Sequence, residues 1–60
     1  MTLEEHARAI EAAIQSAARD GYYLDDGEGL AVTGLELNDV DDADRITSWE
    51  EIRLPESPLI

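Results

Sequence analysis

The sequence predicts a small α+β fold in which an N-terminal amphipathic helix packs on an antiparallel β-hairpin, followed by a short C-terminal helix or strand. One long segment has helical hydrophobic periodicity between start and stop signals. An Asp-Gly pair then separates two runs that contain apolar residues, which is typical of a tight hairpin. With 60 residues and no cysteine, the chain is expected to form one domain, residues 1–60, with a modest core and no disulfide.

Residues 2–20 have the clearest pattern and predict the helix. Thr2 and Glu5 have the spacing of a capping box at its start, and Gly21 is placed to end it. Five side chains at helical spacing predict the core-facing stripe: Leu3, Ala7, Ile10, Ile14 and Ala17. Polar side chains predict the solvent-facing side: Glu4, Glu5, Arg8, Glu11, Gln15 and Arg19.

Residues 22–37 predict the hairpin, with Asp26-Gly27 as a two-residue turn. That register places Tyr23 opposite Leu30, and a second glycine two residues after the first leaves a longer loop open as an alternative. The apolar positions change from even to odd numbers along the second strand. A β-bulge at Gly34 is expected to return them to one face.

The remaining chain predicts a loop, a short element and a tail. Residues 38–45 are strongly polar and predict an acidic loop. Residues 46–54 fit either a capped short helix or a strand, because helical spacing and a following proline give opposing signals. Residues 55–60 predict an extended tail with an apolar tip, Leu59 and Ile60.

The three aromatic residues, Tyr22, Tyr23 and Trp49, are expected to contribute to the core. Consecutive side chains on a strand point to opposite faces, so one of the two tyrosines is expected to be exposed. An exposed tyrosine beside acidic residues would suit a protein interface.

The net charge of −11 excludes several classes of partner. Direct binding to nucleic acid needs a basic surface, and anionic membranes would repel this chain. No stretch has the length and apolar character of a membrane span, and the first residues lack the positive charge of a signal peptide. We therefore expect a cytoplasmic protein whose natural partner is a basic protein surface. The alternative explanation of the charge is a composition rich in acidic residues and poor in lysine throughout the proteome, as in a salt-loving or high-GC source, which keeps proteins soluble.

Ten of the acidic residues and one arginine lie within residues 25–51. Carboxylates held at fixed spacing on a folded scaffold can occupy a basic groove that normally binds nucleic acid. Small phage-encoded inhibitors of nucleases, restriction systems or CRISPR effectors resemble this chain in size and charge only. The predicted partner-binding residues are Asp25, Asp26, Glu28, Asp39, Asp41, Asp42, Asp44, Glu50 and Glu51. An accessory subunit of a larger assembly and a homodimer remain open alternatives.

Catalysis and cofactors are not expected. His6 is the only histidine, lies beside the apolar stripe, and has no nucleophile at a recognisable spacing. Acid–base chemistry by paired carboxylates would need a cleft that a chain of this length hardly builds. We therefore predict a binding protein that is not an enzyme and that carries no cofactor.

Residues 39–50 resemble the calcium-binding loop of EF-hand proteins. The resemblance covers twelve residues, of which five match the oxygen-ligand positions and the apolar position of that loop: Asp39, Asp41, Arg45, Ile46 and Glu50. It implies a hard-cation site. The sequence departs from the pattern where Ala43 replaces an oxygen ligand and Asp44 replaces the glycine of the sharp turn, so we expect calcium binding to be absent or weak.

Overall fold

The computed structural model describes residues 1–58 and contains one helix and one β-hairpin. Helix α1 spans Leu3–Arg19, strand β1 spans Leu35–Val40, and strand β2 spans Ile46–Ile52. The two strands pair antiparallel, and α1 packs on one face of the sheet they form. This arrangement confirms the predicted α+β class, and it shows that residues 46–52 form a strand rather than a helix. The predicted apolar tip at positions 59 and 60 lies outside the described residues.

Both ends of α1 follow the predicted signals. The Glu5 N–H donates to Thr2 Oγ1 over 3.1 Å, and the Thr2 N–H donates to Glu5 Oε1 over 3.0 Å. This bond from the Thr2 backbone holds the pKa of Glu5 below its usual value. At the other end Gly21 has φ +90°, and the Tyr22 N–H donates to the Ala17 carbonyl over 2.9 Å. This bond and the positive φ of Gly21 are characteristic of a Schellman motif, which explains why the helix ends there.

The predicted hairpin over residues 22–37 does not form. A single isolated bridge between Asp25 and Ala31 joins its two halves. The carboxylates of Asp25 and Asp26 instead accept backbone N–H groups of the loop itself, those of Gly27, Glu28, Gly29 and Leu30. These side-chain bonds stabilise the longer loop, in which both glycines have positive φ, and replace the two-residue turn.

The predicted bulge at Gly34 is also wrong. Gly34 precedes β1 and does not have positive φ, and the apolar residues before it belong to an irregular segment rather than to the same strand. The register shifts instead between Asp39 and Val40, which leaves Thr47 as the extra residue on β2. Because β1 extends to residue 40, the predicted loop of residues 38–45 is reduced to a turn of residues 41–45.

The core between α1 and the hairpin is small. Ala7 has no exposed surface and Ile52 is 5% exposed, and these are the two buried hydrophobic residues among those described. Leu3 and Ile14 are half-buried, as predicted for the apolar stripe, but Ile10 is 39% exposed. The helix is therefore rotated about its axis relative to the prediction, which turns part of its polar side toward the sheet.

A seam of hydrogen bonds joins that polar side to β2. Glu11 Oε1 accepts the Arg53 N–H over 2.7 Å and Arg53 Nε over 3.1 Å. Gln15 Nε2 donates to the Arg53 carbonyl over 3.2 Å, and Arg8 Nη2 donates to the Glu51 carbonyl. Arg8, Glu11 and Gln15 were predicted to face solvent. They face the sheet because backbone groups beside a two-stranded sheet need partners that no third strand supplies.

The Glu11–Arg53 pair is held by charge as well as by hydrogen bonds. The Arg53 backbone N–H, followed by its guanidinium, lowers the pKa of Glu11. The Glu11 carboxylate in turn raises the pKa of Arg53. Both groups are therefore ionised over the whole neutral range, and the seam is strongest there.

Candidate partner-binding surface

The two acidic loops lie at opposite ends of the molecule. Arg8 bonds to Glu51 and Gln15 bonds to Arg53, so α1 runs in the same direction as β2. The chain that follows α1, including the loop of residues 25–31, therefore lies at the end where β2 ends. The turn of residues 41–45 lies at the other end of the hairpin. The continuous acidic surface predicted for residues 25–51 is thus divided into two.

Asp25 and Asp26 shape the first of these loops. Their carboxylates accept N–H bonds of 2.7 to 3.3 Å from the loop backbone, so their charge is partly compensated. The third predicted residue of this loop, Glu28, is exposed. The length of the sheet separates this group from the predicted residues of the turn, Asp41, Asp42 and Asp44.

Asp41 organises the turn between the strands. Its Oδ1 accepts the N–H of Ala43 over 2.8 Å and that of Arg45 over 3.0 Å, and its Oδ2 accepts Arg45 Nε over 3.1 Å. The bond from the Arg45 backbone is the main cause that lowers the pKa of Asp41. Asp44 has φ +60°, a conformation that aspartate tolerates better than most residues. Asp42 is exposed.

Two of the predicted strand residues lie on the side of the sheet that carries α1. Glu50 is half-buried, and its Oε1 lies 3.9 Å from Arg8 Nη2. Asp39 is exposed, but the register places it on the same side, opposite Ser48. Glu51 alone among the predicted strand residues belongs to the other face.

That other face presents large apolar side chains to solvent. Trp49 is 61% exposed, Ile46 is 59% exposed and Val40 is 49% exposed. Trp49 pairs with Asn38, and Val40 pairs with Ile46, so alternation along the strands brings them to the face opposite α1. We call this surface the outer hairpin face; it comprises Glu36, Asn38, Val40, Ile46, Trp49 and Glu51. The prediction that Trp49 lies in the core is wrong. Helix α1 covers only one face of the sheet, and no other element of the described chain covers the face that carries Trp49.

Glutamates lie at one end of the outer hairpin face. Glu36 and Glu51 are directly opposite each other in the register, and both are exposed. Like charges in this position destabilise a sheet. The nearby cation, Arg53, is held by Glu11. Glu36 was not among the predicted residues; its parity with Asn38 and Val40 would have indicated it once the correct strand was assigned.

Both tyrosines are more exposed than residues of a hydrophobic core. Tyr22 is 72% exposed, which agrees with the expectation that one of the pair faces solvent, and Tyr23 is 39% exposed. They lie beside α1, at the end of the molecule that is far from the turn of residues 41–45.

The segment that resembles an EF-hand loop forms a β-hairpin. Asp39 belongs to β1 and Glu50 to β2, so neither an entering nor a leaving helix flanks the turn. Within residues 1–58, no group of three His, Cys, Asp or Glu side chains is arranged to hold a metal ion. His6 is exposed on α1.

Comparison with protein families, characterised proteins and solved structures gives no match to this chain. No helix of the described part of the chain combines the length and the apolar character needed to cross a membrane. Any proposal for its function therefore depends on the surface chemistry described above.

Proposed function

We propose that this protein is a non-catalytic binding protein whose outer hairpin face engages a basic surface of another protein. The observation that carries the proposal is the exposure of Trp49 in the middle of this face, with Val40 and Ile46 beside it. A tryptophan surrounded by smaller apolar side chains is the usual composition of the energetic centre of an interface. Acidic residues at the two ends of the face complete a polar rim.

The partner is expected to present arginine or lysine next to an apolar patch. An arginine guanidinium can stack on the Trp49 ring and at the same time approach a glutamate. A cation between Glu36 and Glu51 would relieve the repulsion between these two carboxylates. The exposed Asp42 adds to the negative field around the same end of the hairpin as Val40 and Ile46, which favours fast association at low salt.

The narrower hypothesis, an inhibitor that imitates nucleic acid, concerns the identity of the partner. The charge supports it, because a carboxylate-rich surface suits a groove that binds phosphates. Because the two acidic loops lie at opposite ends of the molecule, the surface that would imitate nucleic acid is limited to the hairpin and its turn of residues 41–45. A cytoplasmic partner such as a nuclease fits this hypothesis. Competition with a labelled DNA duplex for a sequence-independent DNA-binding protein would test it.

Two fluorescent peptides with equal numbers of arginines test the proposal itself. One contains only arginine and glycine, and in the other every second residue is leucine. We expect the leucine-containing peptide to bind more tightly, because it meets both the apolar centre and the acidic rim. Trp49→Ala should weaken that binding by about 2 kcal/mol, or thirtyfold, as expected for an interface anchor.

The charge contribution is tested with matched double variants. Glu36→Gln with Glu51→Gln should weaken binding about tenfold at low salt, because each exposed charge contributes up to about 1 kcal/mol. Glu4→Gln with Glu56→Gln removes the same charge elsewhere and should leave the affinity nearly unchanged. The proposal would be contradicted if the two double variants lost the same affinity. It would also be contradicted if wild type bound both peptides equally and Trp49→Ala did not weaken binding of the leucine-containing peptide.

A further inference from the structure

Between its first and last turns, the solvent-facing side of α1 carries no charged side chain, although 32% of the residues of the chain are charged. Between Glu5 and Arg19 the helix has two charged residues, Arg8 and Glu11, and both are half-buried in the seam against β2. We call the exposed side of the helix the uncharged helix face; it comprises His6, Ala9, Ile10, Ala13 and Ser16. Their spacing places these five side chains on one side of the helix.

An apolar groove continues this face toward the end of the helix. It has a volume of about 240 Å³ and lies between α1 and the segment that follows it, lined by Ala13, Ile14, Ala17, Tyr22, Tyr23 and Leu24. Leu24 is 42% exposed and Tyr22 is 72% exposed. The groove and the uncharged helix face therefore form one neutral, largely apolar surface on the side away from the outer hairpin face.

The exposed area of the chain supports an interface of ordinary size. A compact protein of this mass is expected to expose about 3,900 Å². This chain exposes 4694 Å². The excess of about 800 Å² belongs to the whole molecule, and it is as large as the area that one partner contributes to a standard protein–protein interface.

We propose that a second copy of this chain covers the uncharged helix face and the groove, in a twofold symmetric dimer in which the two α1 helices pack on each other. This proposal does not depend on the proposed function. Alanine and serine allow two helices to approach closely, and an apolar side chain from each copy can enter the groove of the other. A basic partner would gain nothing from a surface without carboxylates.

The dimer also limits the repulsion between two copies of a chain whose net charge is −11. Contact through α1 leaves both outer hairpin faces on the outside, separated by two helices of about 10 Å diameter each. This distance exceeds the screening length of about 8 Å at physiological ionic strength, so the acidic surfaces hardly repel each other. The dimer thus presents two acidic faces that point in opposite directions.

Sedimentation equilibrium over a range of concentrations and salt tests the dimer. We expect wild type to sediment as a dimer whose affinity does not fall when salt is raised. Ala13→Glu places two like charges near the symmetry axis and should weaken the dimer about tenfold or more. Ala43→Glu adds the same charge to the distant turn and should leave the affinity within about twofold. Trp49→Ala should remain dimeric, which separates this result from a failure of the proposed partner site.

A wild-type chain that stays monomeric at high micromolar concentration would overturn the proposal and leave the face to a different protein. Retention of the dimer in Ala13→Glu would overturn it equally, because the contact would then lie elsewhere. If circular dichroism shows that Ala13→Glu unfolds, the exposed Ser16→Glu serves as the deciding variant. Equal weakening by Ala43→Glu and Ala13→Glu would mean that net charge, and not this face, controls assembly.

Discussion

At the scale of single residues, some acidic side chains of this protein accept hydrogen bonds that stabilise the fold, and others are exposed on its surface. The Asp41 carboxylate accepts three hydrogen bonds within its own turn. Glu11 bonds to both the backbone and the guanidinium of Arg53. Glu36 and Glu51, in contrast, are exposed on the outer hairpin face. Sequence alone counts all of them as equal negative charges, because it does not show which N–H groups a carboxylate will meet.

Asp41 is therefore a poor choice for probing partner binding, because its replacement would disturb the turn as well as remove a charge. We expect Asp41→Ala to lower the melting temperature clearly, since three donors of the turn lose their acceptor. Asp42→Ala, one residue along the same turn, should change it little, because this side chain is exposed. Thermal unfolding followed by circular dichroism compares the two. A turn that tolerates both changes equally would mean that these hydrogen bonds contribute nothing to stability.

The pH dependence of stability tests the seam between α1 and β2. The folded protein lowers the pKa of Glu11, so the unfolded chain takes up this proton first as the pH falls. The stabilisation is fully present above the pKa of the unfolded chain, which is about 4.3 for a glutamate, and it is lost as the pH falls through the lower pKa of the folded state. The stability gap between wild type and Glu11→Gln should thus be largest at pH 7 and should shrink in acid.

Urea unfolding at several pH values measures that gap, with Glu4→Gln as the control from the exposed side of the same helix. The control should differ little from wild type at every pH. A gap between wild type and Glu11→Gln that stays constant down to pH 3 would show that the ion pair with Arg53 does not form in solution.

At the scale of elements, the helix was predictable and the position of the hairpin was not. Capping box, periodicity and the glycine at the end all act within the helix itself, so they can be read locally. The Asp-Gly turn failed because the side chains of Asp25 and Asp26 close a longer loop. The hairpin formed instead around the turn held by Asp41. The sequence contains two Asp-rich segments that could each form the turn of the hairpin. A single sequence does not reveal which pair of strands the helix will cover.

The glycines between α1 and β1 distinguish the observed loop from the predicted bulge. Gly29 has φ +91°, so Gly29→Ala should destabilise the protein by about 1 kcal/mol or more. Gly34 lacks positive φ, and nothing lies within 4 Å of the position an added methyl group would take. Gly34→Ala should therefore be neutral or stabilising by about 0.5 kcal/mol, because it restricts the unfolded chain. Chemical denaturation measures both variants, and a reversed order would support the bulge at Gly34.

At the scale of the whole molecule, the described fold is thin and exposes surfaces on both sides. Its radius of gyration is 13.1 Å, whereas a compact chain of this length is expected to have about 10 Å. One layer of helix on one layer of sheet leaves an acidic face around Trp49 and an uncharged face along α1. We propose a basic partner for the outer hairpin face and a second copy of the chain for the uncharged helix face. The sequence indicated the acidity, but the division into two faces required the strand register.

The fluorescence of Trp49 tests the proposed binding surface most directly, because it is the only tryptophan of the chain and lies at the centre of the outer hairpin face. We predict that the leucine-containing arginine peptide shifts its emission to shorter wavelength and protects it from quenching by acrylamide. Glu36→Gln with Glu51→Gln should reduce both effects at the same peptide concentration. Saturable binding of that peptide with unchanged emission and quenching of Trp49 would contradict the proposal, because the partner would then occupy a different surface.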